Sequence, residues 1–122
     1  MEEKNVKLSV PAEADFARPV RMMASSLAVC CGMGVEDVED VRMVAEEGFV
    51  YACATAPSEL GVTFALSSGA IAMDFSLGTD EPAGESIELV EVLLSAVCDE
   101  FSVSEDGRTL HLAKRAGDAH AA

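Results

Sequence analysis

Residues 36–57 read Glu36-Asp37-Val38-Glu39-Asp40-Val41-Arg42-Met43-Val44-Ala45-Glu46-Glu47-Gly48-Phe49-Val50-Tyr51-Ala52-Cys53-Ala54-Thr55-Ala56-Pro57. Val38, Val41, Ala45, Gly48 and Ala52 recur at intervals of three and four, the spacing of one face of an α-helix. The run predicts a helix from Glu36 to Thr55, stopped by Pro57. A helix with one apolar stripe needs a second layer to bury it.

The flanking segments supply that layer. Val6, Leu8 and Val10 alternate with polar residues up to Pro11, which predicts a strand with one buried face. Asp15 offers a cap for a first helix carrying Val20, Met23, Leu27 and Cys30 or Cys31 at helical spacing. Pro19 falls in its first turn, where a missing N–H does no harm, and Gly32 and Gly34 close it. Beyond Pro57, strands at Val62–Leu66 and Ala70–Phe75 are joined by a Ser67-Ser68-Gly69 turn. Residues 77–86 read as a loop. A third helix, Ser86–Asp99, places Ile87, Val90, Leu94 and Val97 on one stripe that Leu89 and Leu93 widen. The last hairpin is Phe101–Ser104, a Glu105-Asp106-Gly107 turn, and Thr109–Lys114. The order β-α-α-β-β-α-β-β predicts an α+β sandwich: two layers, with helices on one face of a mixed, mostly antiparallel sheet. Residues 1–116 form one domain in this reading, and 117–122 a frayed tail.

Composition narrows the function. With one Tyr, five Phe and no Trp among 122 residues, aliphatic side chains build the core. A net charge of −14 argues against nucleic acid and against an anionic membrane surface, since both are bound through clustered Lys and Arg. No apolar run approaches the ~20 residues that span a bilayer, and the start, Met1-Glu2-Glu3-Lys4, lacks the pattern of a signal peptide. Cys30, Cys31, Cys53 and Cys98 form no C-x-x-C pair, and His111 and His120 lie far from them, so no zinc spacing exists. All four read as buried thiols of a reducing cytoplasm. Met22 and Met23 read as core residues, and Arg42 with Glu46 as an ion pair along one helix.

In element order and in local pattern the chain resembles the anti-sigma-factor serine-protein kinases of the histidine-kinase-like (GHKL) ATPase superfamily. The resemblance covers nearly the whole chain. It runs from the opening strand and Pro11 through Val20-Arg21, and is best at Glu39-Asp40-Val41-Arg42-Met43-Val44-Ala45-Glu46-Glu47-Gly48. It returns at Leu89-Val90-Glu91-Val92-Leu93 and in the final hairpin, Asp99-Glu100-Phe101 through Gly107 to Lys114-Arg115. It implies an ATP- and Mg²⁺-binding fold, with a sigma factor or an anti-anti-sigma protein as partner and self-association as a further possibility.

The same resemblance assigns roles. The family's second helix carries a Glu that serves as base toward a substrate serine and, four residues on, an Asn that ligates Mg²⁺. Glu47 takes the first position, but Tyr51 stands at the second, and a neutral phenol is a poor ligand for a hard cation. The family's adenine motif is D-x-G-x-G. Here Asp74-Phe75-Ser76-Leu77-Gly78 keeps the Asp and the second Gly, with Ser76 at the first Gly position. A glycine pair opens the family's third helix beside the phosphates. Gly84-Glu85-Ser86 keeps one glycine and sets a carboxylate next to it.

The charge map runs the same way. Between Met43 and Gly107 there is no Lys, Arg or His, against thirteen Asp and Glu. The leading expectation is therefore a pseudo-enzyme: a cytoplasmic transcription regulator that keeps the kinase fold and acts by protein binding. The alternatives are an active serine/threonine-protein kinase with Glu47 as base, and a small-ligand sensor whose pocket Tyr51 lines.

Overall fold

A computed structural model describes residues 2–117. The chain runs β1 (Lys4–Val10), α1 (Ala17–Cys30), α2 (Val35–Ala54), β2 (Leu60–Ser67), β3 (Ala70–Ser76), α3 (Glu85–Val97), β4 (Glu100–Val103) and β5 (Thr109–Arg115), with a single 3-10 turn at Ala14–Phe16. This is the predicted element order. The strands lie side by side as β1-β2-β3-β5-β4. All four pairings are antiparallel, so the sheet is not mixed. The reason lies in the last hairpin. Helix α3 carries the chain from β3 to β4, and a parallel pair would form if those strands were neighbours. Instead β5 folds back into the gap and leaves β4 on the edge.

Alternation along the strands sorts the sheet into two faces. Leu60, Val62, Phe64 and Leu66 of β2, Ile71, Met73 and Phe75 of β3, and Leu110 and Leu112 of β5 are buried against the helices. The residues between them, including Thr63, Asp74 and His111, line an open face that no helix covers. From the helical layer come Val20, Ala24 and Ala28 of α1, Val41, Val44, Ala45, Phe49 and Ala52 of α2, and Ile87, Val90 and Leu94 of α3. All join one core. Helix α2 lies directly on β3 and β5 because residue 48 is glycine. A Cβ there would fall 2.7 Å from the Phe75 ring and 2.8 Å from Leu112 Cδ1.

Local details differ from the expectations at several points. Asp15 does not cap α1; it lies in the 3-10 turn, and no side chain caps the helix. Gly32 does close α1. At φ +79° it takes the left-handed conformation, Gly32 N–H reaches Val29 O, and Met33 N–H reaches Ala28 O. Arg42 does not pair with Glu46. It pairs with Glu39 at 3.1 Å, the order with the acid toward the helix N-terminus that the helix dipole favours. Glu46 instead meets Arg21 at 2.5 Å and ties α2 to α1. Met22 and Leu89 are exposed rather than core, because each points away from the single layer its helix packs on. Of the four cysteines only Cys31 is buried; Cys53 and Cys98 are half-buried and Cys30 is exposed, all as free thiols. Gly117, the expected start of the tail, donates its N–H to Asp37 Oδ2 at 3.2 Å, and residues 118–122 lie outside the described residues. Among the described residues no helix is long and apolar enough to cross a membrane.

Candidate functional site

The C-terminal end of α2 organises a cleft. Thr55, the buried residue that ends the helix, donates its hydroxyl to Ala52 O at 2.6 Å and accepts the Gly78 N–H at 2.8 Å. Its carbonyl accepts the Asp80 N–H at 3.0 Å. The loop after β3 is thereby fastened to α2. Its backbone comes so close that a Cβ on Gly78 would lie 2.2 Å from Thr55 O and 2.6 Å from both Ala56 C and Pro57 N. On the other side Leu77 N–H bonds Arg108 O at 2.8 Å, which joins the same loop to the β4–β5 turn. Between these anchors opens a cleft of about 480 Å³, lined by Tyr51, Thr55, Leu77 and Gly78 and by the charged residues Asp80, Glu81, Glu91, Asp106 and Arg108. That volume suits a small organic ligand.

The cleft is electronegative. Four carboxylates face one guanidinium. Tyr51 is only 8% exposed, and its hydroxyl has no hydrogen-bond partner among the described residues. Among the described residues no fully enclosed polar side-chain atom lacks a partner, so this hydroxyl opens onto the cleft. Burial, and then the negative charges of Glu91 and Glu81, push its pKa above the ordinary phenol value, and the group stays neutral.

The structure brings two of the sequence-predicted residues together, Tyr51 and Gly78. The others stand apart from the cleft lining. Asp74, the expected adenine reader, points to the open face of the sheet and is held by His111 Nδ1 at 2.6 Å. Ser76 lies on that same face and accepts the Gly61 N–H through Oγ at 2.7 Å. Gly84, at φ +103°, is the exposed residue that opens α3, and Ser86 is exposed in its first turn. Glu47 is half-buried one helical turn before Tyr51; burial, with the neighbouring Glu46, raises its pKa. These residues do not fit the Mg-ATP that the resemblance implies: a phenol stands where it expects an Asn, Asp74 faces away from the cleft, and four carboxylates line it.

Two features escaped the sequence. Thr55 gave no signal beyond ending a helix. Arg108 is legible in hindsight as the first basic residue after the long acidic stretch. On the open face, His111 also meets Glu100 Oε1 through Nε2 at 2.8 Å, so one imidazole bridges β3, β5 and β4. Residues 74, 100 and 111 share no sequence pattern; strand order alone joins them. Among the described residues no three His, Cys, Asp or Glu converge closely enough to hold a metal ion.

Fold and cleft together define a class: a two-layer α+β domain with a five-stranded antiparallel sheet, three helices and an acidic cleft at the end of its central helix. No protein-family profile matches the chain, and no curated protein does.

Proposed function

We propose that this chain is a cytoplasmic regulator of the anti-sigma-factor serine-kinase type that works by binding proteins and not by transferring phosphate. The single observation behind this reading is Tyr51. At the position where the resemblance expects a Mg²⁺-ligating Asn, a buried phenol stands in a cleft of four carboxylates and one arginine. The partner class follows from the resemblance: a sigma factor or an anti-anti-sigma protein, bound by a monomer or a homodimer.

A thermal-shift titration tests it. A nucleotide present at a hundredfold its Kd would add about 2.7 kcal/mol to stability. The expected result is no rise in Tm with millimolar Mg-ATP, together with a nucleotide-independent complex when sigma factors and anti-anti-sigma proteins are titrated by calorimetry. A clear Mg-ATP rise sinks the reading. Glu47 is the one residue that suits the kinase alternative, because a carboxyl with a raised pKa is a better base. Phosphate transfer to an anti-anti-sigma protein, abolished by Glu47→Gln, would establish that alternative.

A further inference from the structure

The cleft repels anions, but its chemistry is complementary to a cation. We propose that it is a binding site for an organic cation, an ammonium or guanidinium group held by the Tyr51 hydroxyl oxygen and the carboxylates of Glu81 and Glu91. This inference stands on the cleft alone and does not need the regulatory reading.

Three observations converge. The first is the Tyr51 phenol. A side chain 8% exposed carries a hydroxyl with no hydrogen-bond partner among the described residues, opening on the cleft. Its oxygen lone pairs are open to the cleft and can accept a hydrogen bond from a ligand's N–H. The second is charge: Asp80, Glu81, Glu91 and Asp106 against Arg108 leave three uncompensated negative charges. Glu81 and Glu91 are the two carboxylates close enough to act on the Tyr51 phenol. The third is geometry. A metal ion needs carboxylate oxygens converging within about 2.5 Å of one point, and no such group exists among the described residues. An ammonium or guanidinium presents several N–H donors spread over its own width, which matches carboxylates that do not converge. The cleft's 480 Å³ accommodates a group of that size with its apolar stem. The long acidic stretch would draw such a ligand in.

A free polyamine and the Lys or Arg side chain of a protein share this chemistry. The test separates them. Tyr51 is the sole tyrosine and the chain has no tryptophan, so intrinsic tyrosine emission reports on this cleft alone. Wild-type protein is titrated with spermidine and, separately, with N-acetyl-arginine amide, in about 0.15 M salt to screen diffuse attraction. A saturable change with either probe is expected, and the probe that produces it identifies the source. In the double variant Glu81→Gln/Glu91→Gln the apparent Kd should weaken by at least about tenfold, the loss of one charge-assisted hydrogen bond. The double variant Glu13→Gln/Glu36→Gln removes the same charge from exposed positions outside the cleft and should leave the Kd unchanged. Absence of saturation with both probes overturns the proposal. So does equal weakening in the two variants, which would reduce the effect to net charge.

Discussion

His111 and Asp74 sit directly opposite each other on β5 and β3, with Nδ1 and Oδ1 2.6 Å apart. Because Glu100 holds Nε2 as well, both ring nitrogens face carboxylates, and only the imidazolium donates to both. Burial alone would lower the His111 pKa. The hydrogen bonds and charges of Glu100 and Asp74 outweigh it and hold the pKa above its usual 6.5. A histidine whose folded value is raised adds stability that is complete below 6.5 and disappears as pH rises through the folded value. The Glu100 carboxyl, lowered first by its bond to His111, contributes above its usual 4.5 and loses that contribution as pH falls below it. Melting temperatures of wild type and His111→Gln should therefore differ most between those two values and converge toward about pH 9. A difference that stays constant from about pH 5 to about pH 9 would show that the bridge is not proton-linked.

Gly78 and Gly48 both allow close packing, but against different neighbours. Gly78→Ala would drive a methyl into the backbone of Thr55, Ala56 and Pro57, which cannot rotate away. A loss of about 3 kcal/mol is expected. Gly48→Ala meets the ends of the Phe75 and Leu112 side chains, which are fully buried and give way only by repacking the core, while the helix gains about 1 kcal/mol of propensity. Its net loss should be about 1–2 kcal/mol, below that of Gly78→Ala. Urea unfolding of the two variants checks the order; equal losses would mean the β3–α3 loop moves freely off the end of α2.

Ala56 adopts φ +54°, a left-handed conformation that strains an L-residue with a Cβ. Ala56→Gly should raise stability by up to about 1 kcal/mol, after the larger chain entropy of glycine is subtracted. Urea midpoints would show it, and a drop in stability would mean the turn is not under strain.

Tyr51 allows two substitutions with separate meanings. Its hydroxyl makes no hydrogen bond among the described residues, so Tyr51→Phe should change stability by no more than about 0.5 kcal/mol. Tyr51→Asn introduces the Mg²⁺-ligating residue that the proposed kinase resemblance expects there, but should not produce a Mg-ATP response in thermal shift, because Asp74 lies on the other face of the sheet and the cleft keeps its carboxylates. A Mg-ATP response in Tyr51→Asn that wild type lacks would make residue 51 alone decide nucleotide binding.

The cysteines should label in order of exposure. Cys30 is exposed, whereas burial pushes the Cys98 thiol up to about 11, with Lys114 pulling partly the other way. At pH 8 a thiol of that pKa is ionised in about one molecule in a thousand. Mass spectrometry after timed alkylation should find Cys30 modified first and Cys98 protected until urea is added. Early modification of Cys98 would show that α3 and β4 open readily.

The element order was legible because each helix and strand declares itself through local periodicity: Val38, Val41, Ala45 and Gly48 for α2, Val6, Leu8 and Val10 for β1. The place of Tyr51 at the end of α2, one turn after Glu47, was legible for the same reason, since a continuous helix keeps its register. Asp74 was not. The resemblance puts it beside a nucleotide, but the alternation of β3 sends Ile71, Met73 and Phe75 inward and so Asp74 outward. That alternation was readable, but which face held the cleft was not. The hairpin turn was legible at its centre, Glu105-Asp106-Gly107; the connection is wider, Ser104–Arg108, because Ser104 leaves the strand and its Oγ donates to Asp106 Oδ1 at 2.6 Å.

By itself the sequence determined which segments are helices and strands, which face of each is apolar, and that the chain between Met43 and Gly107 is negative throughout. These are properties of neighbours along the chain, and the 3.6- and two-residue periods express them directly. The tertiary structure alone decided that the β5 strand separates β3 from β4, that His111 reaches Asp74 across 37 residues, and that Gly78 meets Thr55 across 23. Such contacts depend on strand order and register, which are set by how all the apolar faces pack at once and leave no mark in any single stretch of sequence.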